Sequence, residues 1–315
     1  MLQRDWYLFL LLISTLGACQ YANAQTPLQN AGTNYLKKRA DALMTLTGFS
    51  LTPDVTTGNL KVTNSDGKAD LQTTSLGGGD RISANFPLYI EGTLAFNRYN
   101  PTFTDGVGNS SVNIPMYWNS ITGTGGIGWD FPITDQLRFR PIANVMLGHL
   151  ESDASVATRY INNNRDVNLQ FINSGRMNSY GAGGSVMLDY ENYKPDQEID
   201  IELRYTNIAI QTFASSAAVQ GSADSQSLSL WARSRIPTPW MALDRPIRAV
   251  FEAANTQYLG NLRGAMGFNS ISSVGTGIEI DRSASDPIFS RVRVVVRYRF
   301  GQNVQGTSIG LAASF

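Results

Sequence analysis

The sequence predicts an all-β chain closed into a transmembrane antiparallel β-barrel, of twelve strands or, as the alternative count, ten. Three observations predict it. Past residue 80, apolar and polar residues alternate with period two in run after run, which is the strand signature. The runs reach about 10 to 15 residues, longer than the ~5–6 residues usual for globular strands. Short turns alternate with longer polar loops, and aromatic residues gather at both strand ends, the habit of barrels with short periplasmic turns, long external loops and two interfacial girdles.

Residues 1–24 read as an export signal. "MLQRDWYLFLLLISTLGACQYANAQ" places Arg4 before an apolar run from Trp6 to Ala18 and ends on Ala22-Asn23-Ala24, a charged start, a short apolar stretch and a small-x-small cleavage site. The run is shorter than the ~20 residues a spanning helix needs. "LGAC", ending on Cys19, is a competing lipoprotein-type site. Both readings place the protein outside the cytoplasm. Cys19 is the single cysteine, so cleavage after Ala24 leaves no disulfide and stability must come from a large core or a membrane. The 25 basic and 25 acidic residues balance, which gives no electrostatic footprint for nucleic acid.

Residues 25–54 form an N-terminal segment in which "NYLKKRADALMTLTG" has helix signals: Asn34 as cap, Leu36, Ala40 and Leu43 on one face, and Gly48 as stop. The barrel is assigned to residues 55–315. "TTGNLKVTNSDGKADLQTTSL" is a weaker hairpin whose turn is "NSDGK". Ten stronger runs follow at 86–99, 117–131, 137–149, 177–192, 198–213, 225–236, 246–258, 270–281, 289–300 and 306–315. In "FPLYIEGTLAFNRY", Phe86, Leu88, Ile90, Leu94 and Phe96 share one face, and Tyr89, Glu91, Thr93, Ala95 and Asn97 the other. Short turns are expected at "PITDQ", "KPDQ", "PTPWMALDRP" and "SASDP", and loops near 100–116, 150–176, 214–224 and 259–268. Trp129, Phe131, Phe139, Tyr190, Tyr193, Trp240 and Phe289 are expected to form the short-turn aromatic belt, and Tyr99, Tyr117, Trp118, Tyr180, Phe213, Tyr258 and Phe268 the opposite one. Pro141 lies inside a strand and predicts a bulge.

If the apolar faces meet lipid, the remaining faces meet the lumen. That reading gathers Arg138, Arg140, Asp189, Glu191, Asp200, Glu202, Arg204, Arg233, Arg235, Glu279, Asp281, Arg291, Arg293, Arg297 and Arg299 into one lumenal charge network. It is either a filter for ions or small solutes or a salt-bridged polar core. Arginine far outnumbers lysine, as suits planar paired contacts.

No catalytic residue, metal site or cofactor is expected. His149, the single histidine, leaves the membrane region in "VMLGHLESD", with Ser152 and Asp153 too near in sequence to form a triad. Asp189 and Glu191 read as ion-paired. "GTGGIG" at 123–128 mimics a dinucleotide fingerprint but has no helix after it.

The chain ends "GTSIGLAASF", with Thr307, Ile309, Leu311, Ala313 and Phe315 alternating with Ser308, Gly310, Ala312 and Ser314. With this ending the barrel resembles the translocator barrel of autotransporters. The layout of signal then barrel, with "SLGGGDRISANFPLYIEGTLAFNRYNPTF" at the barrel's start, resembles the solitary outer-membrane autotransporter-like β-barrel family, which lacks a passenger. The resemblance implies a bacterial outer-membrane location, lipid and the outer-membrane assembly machinery as partners, and an assembly signal carried by Ser308, Gly310 and Phe315. It implies no catalytic residue. It also suggests a helix in the pore, with Lys37, Lys38 and Arg39 meeting lumenal acids; the alternative for this segment is a periplasmic tether. The expected activity is a narrow or gated pore for small solutes or ions; the alternative is a non-conducting surface barrel whose loops, chiefly "ESDASVATRYINNNRDVNLQFINSGR", bind a partner, and an outer-membrane enzyme stands third. Deleting residues 26–50 should raise single-channel conductance if the helix plugs the pore; unchanged conductance rules the plug out.

Overall fold

The computed structural model describes residues 55–64, 67–83, 86–107, 110–115, 117–153, 176–214, 222–242, 245–281 and 291–314. The expected signal peptide with Cys19, the N-terminal helix with Lys37, Lys38 and Arg39, most of the loop 150–176, Phe289 and Phe315 lie outside the described residues.

In chain order the strands are β1 (Val55–Asn64), β2 (Gly67–Ser83), β3 (Phe86–Val107), β4 (Ser110–Pro115), β5 (Tyr117–Trp129), β6 (Phe131–Pro132), β7 (Leu137–Asp153), β8 (Arg176–Tyr193), β9 (Glu198–Phe213), β10 (Ser222–Ala242), β11 (Arg245–Gly260), β12 (Ser270–Asp281), β13 (Arg291–Gly301) and β14 (Val304–Ser314). Twelve of them form an antiparallel meander in which each strand pairs with the next. The meander closes because β1 also pairs with β14, from Val55↔Leu311 to Val62↔Val304. β4 is an extra strand folded against the far end of β3, and β6 is a two-residue piece on β7.

Period two assigns the faces. Leu94 (52% exposed), Leu147 (65%), Val296 (53%) and Leu311 (51%) point outward, and apolar side chains like them continue around the barrel. A water-soluble monomer rarely shows a contiguous apolar patch beyond a few hundred Å². A ring of this kind is stable only against hydrocarbon, and closure leaves no strand edge in lipid. The intervening residues, among them Asn97, Ser120, Asn144, Ser185 and Thr206, are buried within the barrel. Hydrogen bonds join them from strand to strand: Asn97 Nδ2 donates to Ser120 Oγ at 3.0 Å, Ser185 Oγ donates to Asn144 Oδ1 at 2.7 Å, and Ser185 and Thr206 hydroxyls lie 2.9 Å apart.

One end carries β1's start, β14's end, the turns at 130–136 and 194–197, and the joins from β2 to β3 and from β10 to β11. In "PITDQ" the Thr134 hydroxyl accepts from the Gln136 and Leu137 amides. The other end carries the β3–β4 hairpin, the joins from β1 to β2, from β7 to β8 and from β9 to β10, and the turns at 261–269 and 302–303. Gly260, Gly264 and Gly267 have positive φ in the 261–269 turn, where a side chain would be strained. The end with the shorter turns is the periplasmic one by the rule of outer-membrane barrels.

Three expectations are corrected. Pro141 makes no bulge: it pairs with Val186 in unbroken register. Its missing N–H falls where the β5 ladder stops at Gly128↔Ile142 and before β6 resumes at Phe131↔Phe139, while the Asp130 amide bonds the Pro87 carbonyl at 2.9 Å. The bulge lies instead in "PTPWMA", residues 237–242, which is strand rather than turn; β10 runs to Ala242, with a register shift between Pro237 and Met241. Thr238 Oγ1 there donates to the Ile247 carbonyl. Finally, Tyr99 and Trp118 are fully buried on the lumenal side and pack edge to face at 5.9 Å. Position along the strand placed them correctly at its end, but parity turns them inward. Tyr180, Phe213, Tyr298 and Phe300 are the outward aromatics at that end.

Val294→Arg, central on the outward face of β13, should cost about 2–4 kcal/mol, the range for a cation near the bilayer midplane. Urea unfolding in lipid vesicles, read by heat-modifiable gel migration, checks it; unchanged stability would mean that this face does not meet lipid.

Candidate functional site

The charged side chains cluster in the lumen toward the periplasmic end, on two facing walls. The first wall is built by β3, β5, β7, β8 and the start of β9. Arg140 sits at its centre. Its Nε and Nη2 donate to Asp130, its Nη2 also donates to Asp189 at 2.9 Å, and its guanidinium lies 3.9 Å over the Tyr89 ring. Arg138 pairs with Glu191 nearer the rim, and Arg81 lies 3.8 Å from Asp130.

Arg204 on β9 reaches Glu91 on β3 with a bidentate pair, Nη1 to Oε2 at 2.7 Å and Nη2 to Oε1 at 2.6 Å. β5, β7 and β8 stand between those two strands in the sheet, so this pair is a clamp inside the barrel rather than a neighbour contact. Gly126, opposite Glu91 in register, makes room for it: a Cβ there would meet Glu91 Cγ at 2.7 Å and Asn144 Nδ2 at 2.5 Å. The glycine run 123–128 is therefore strand interior serving the clamp. Glu202 stands directly opposite Asp189 in register, in the fields of Arg140, Arg204 and Arg233.

The second wall is built by β9 to β13. Arg235 Nη2 bonds both oxygens of Asp200 and its Nε lies 3.2 Å from Glu198. Arg248 and Arg291 also donate to Glu198, each at 2.8 Å. Glu252 is held between Arg233 at 2.7 Å and Arg297 at 2.6 Å, and Arg297 Nη1 reaches Thr56 Oγ1 on β1 at 3.4 Å. Glu279, fully buried, accepts from Arg293 Nη1 at 3.1 Å. Arg299 lies on the same face of β13, farther toward the extracellular end; Asp281 pairs with Arg291 through the backbone, and its side chain lies outside the described ones.

Charge is not shared evenly. The first wall sets Glu91, Asp130, Asp189 and Glu191 against Arg81, Arg138, Arg140 and Arg204, with Glu202 opposite Asp189. The second, among the described side chains, sets Glu198, Asp200, Glu252 and Glu279 against Arg233, Arg235, Arg248, Arg291, Arg293 and Arg297. One wall is thus balanced in its ion pairs and the other in excess of cations, and a field lies across the lumen. Toward the extracellular end the lining turns apolar, with Trp118, Leu150, Met177, Ile208, Leu60 and Leu71 buried.

Sequence reasoning left Arg81, Tyr89, Glu91, Asp130, Glu198, Arg248 and Glu252 out of the network. Parity carried a signal for most of them. Glu198 lies two residues before Asp200, Arg248 and Glu252 share a face of "PIRAVFEAA", and Tyr89 and Glu91 lie on the non-apolar face of β3. Asp130 had no such signal, because it sits where β5 gives way to a turn. His149 faces outward, its Nδ1 2.7 Å from Asn178 Oδ1. Ser308 and Gly310 point into the barrel beside the β1 seam, where Gly310 pairs with Thr56 and Ser308 with Gly58.

These features define an integral outer-membrane β-barrel with a charged lumen. Residues 48–159 match the family model of the autotransporter beta-domain. The chain is similar to three solved autotransporter barrels. The beta domain of the Bordetella autotransporter BrkA is 11% identical, over 84% of this chain and 100% of that one, with a TM-score of 0.44. The translocator domain of NalP from Neisseria meningitidis is 14% identical, over 91% and 97%, with a TM-score of 0.43. The transport unit of AIDA-I from Escherichia coli is 12% identical, over 92% and 100%, with a TM-score of 0.46. No curated protein matches the sequence.

Arg140→Met leaves Asp130 and Asp189 buried without their cation, and removal of one partner from such a group costs about 3–5 kcal/mol. A matching fall in the urea midpoint of the refolded barrel is expected. The double variant E91Q/R204M should lose clearly less than the two single losses together, because the partners are coupled; strict additivity would contradict the clamp.

Proposed function

We propose that the barrel is a narrow pore for small solutes, with the two charged walls as its constriction. The observation that carries this reading is the transverse separation of charge. A purely structural polar core is best neutralised locally, pair by pair, because an unbalanced buried charge is costly. A balanced wall facing an arginine-rich one keeps a field across the path, which orients and selects polar solutes. The clamp between Arg204 and Glu91 narrows that path and holds it rigid.

A second reading, a non-conducting surface barrel whose outer loops bind a partner, is favoured by the apolar collar around Trp118, Leu150 and Met177, which would oppose water and ions. Neither reading includes a catalytic step. Asp189 and Glu191 are each engaged by an arginine, and His149 lies on the opposite face of the sheet from them.

Single-channel recording of the refolded full chain separates the two. Steady, ion-selective conductance is expected. Silence from the full chain and from a version lacking residues 26–50 would overturn the pore in favour of the surface barrel.

A further inference from the structure

The outward wall across the β14–β1 seam changes character toward the extracellular end, row by row. In one row Leu311, Val55, Leu76 and Leu94 stand side by side on β14, β1, β2 and β3, all apolar and all exposed. The next outward row is mixed: Ile309 and Phe96 flank Thr57 and Thr74, whose hydroxyls lie 3.1 Å apart. The row above is polar throughout, with Thr307, Asn59, Gln72, Arg98 and Asn119 on the adjacent strands β14, β1, β2, β3 and β5. The two upper rows line a cavity of about 520 Å³ on the outer wall, in which the small threonines lie between the larger Ile309, Phe96 and Arg98. Among the described residues no carboxylate lines it. Asp70 stands beside Lys61 one outward row farther up, and Glu151 lies beyond Asn119. Arg98 is exposed, with its guanidinium 4.8 Å over the Tyr117 ring, and no carboxylate among the described residues pairs with it. Asn59 Oδ1 is an acceptor without a hydrogen-bond partner.

A cavity that is apolar below and polar above, at the upper edge of the lipid-facing band, fits an amphiphile standing upright in the outer leaflet. Its acyl chains would run down past Phe96 and Ile309 onto the apolar row, where burial of each CH₂ is favourable. Its headgroup would meet side-chain amides and hydroxyls, which both donate and accept and so suit a hydroxyl-rich sugar. The cation of the lining, Arg98, offers the charge-assisted, planar donors that hold a phosphate. We infer that this cavity binds the headgroup of a phosphorylated glycolipid, with Arg98 on the phosphate and Asn59, Gln72 and Asn119 on the sugar. The site lies outside the lumen, so it stands whether or not the barrel conducts. Because the lining spans β14, β1, β2 and β3, a lipid held there also braces the seam that closes the barrel.

The test counts bound lipid. The full chain, refolded in a neutral detergent, is titrated with diphosphoryl lipid A, a phosphorylated glucosamine lipid, and in parallel with phosphatidylcholine, and bound lipid is read by native mass spectrometry. Saturable binding of one lipid A per barrel is expected, with a matching rise in the thermal midpoint followed by heat-modifiable migration. Arg98→Met should weaken that binding by about tenfold or more, the loss expected when a charge-assisted hydrogen bond to phosphate is removed. Gln72→Leu keeps the cation, extends the apolar row and should also weaken it, which guards against a misfolded first variant. Dephosphorylated lipid A should bind the wild type as weakly as lipid A binds the Arg98→Met variant. Equal uptake of phosphatidylcholine overturns the site, since it marks unselective contact with bulk lipid. Unchanged binding in both variants overturns it too, as does displacement of lipid A by millimolar inorganic phosphate with no loss of the thermal rise, which marks a site for the free ion.

Discussion

The pairing of β1 with β14 is the constraint on which the rest depends. In hydrocarbon every backbone N–H and C=O must find a partner within the protein, so a sheet of this length is tolerable only when its first and last strands meet. Eight residues of β1 pair with β14. Gly306 and Gly58 allow the close approach: a Cβ on Gly306 would fall 1.9 Å from the Asn59 carbonyl oxygen, and one on Gly58 2.6 Å from Ser308 Cβ. Closure also decides the two faces at once, because period two then divides each strand between lipid and lumen.

That division inverts the usual logic of a folded domain. The apolar residues face outward, so they contribute by matching lipid and not by filling a core. The interior must be stabilised by polar contacts, and the two walls do this with arginines, several of which engage more than one carboxylate. Arg140 joins β7 to Asp130 and to Asp189 on β8, and Arg235 joins β10 to Glu198 and Asp200 on β9. Lysine could not replace these contacts, since a point charge lacks the fork that satisfies two oxygens at once. Idle donors remain on Arg233 and Arg293 despite this crowding, and a buried unsatisfied donor on a charged group costs about 1–3 kcal/mol or more.

Much of the architecture was legible because its determinant is local. Alternation in "FPLYIEGTLAFNRY" and "FSRVRVVVRYRF" is enough to define a strand and its lipid face, and the tight turns carry their own glycine, proline and threonine signals. Contacts across the barrel were not legible. Arg204 and Glu91 are 113 residues apart, and no periodicity links them; only the closed sheet brings them together. Tyr99 and Trp118 were misread for a different reason: distance along the strand says that they lie at an end, while one step of parity decides between belt and lumen. The register shift between Pro237 and Met241 escaped because a proline pair there reads as a turn, whereas Thr238, by bonding the Ile247 carbonyl, keeps the segment attached to its neighbour.

The placement of the charges makes the lumen rigid as well as stable. Each arginine is held by carboxylates, several of them from strands that are not its neighbours, so its position is fixed on folding, and the donors it leaves over are fixed with it. A flexible lysine fringe would rearrange around a solute and lose side-chain freedom on binding. The guanidinium network has already lost that freedom on folding. The surplus of arginines on the β9–β13 wall then costs stability that local pairing would have spared.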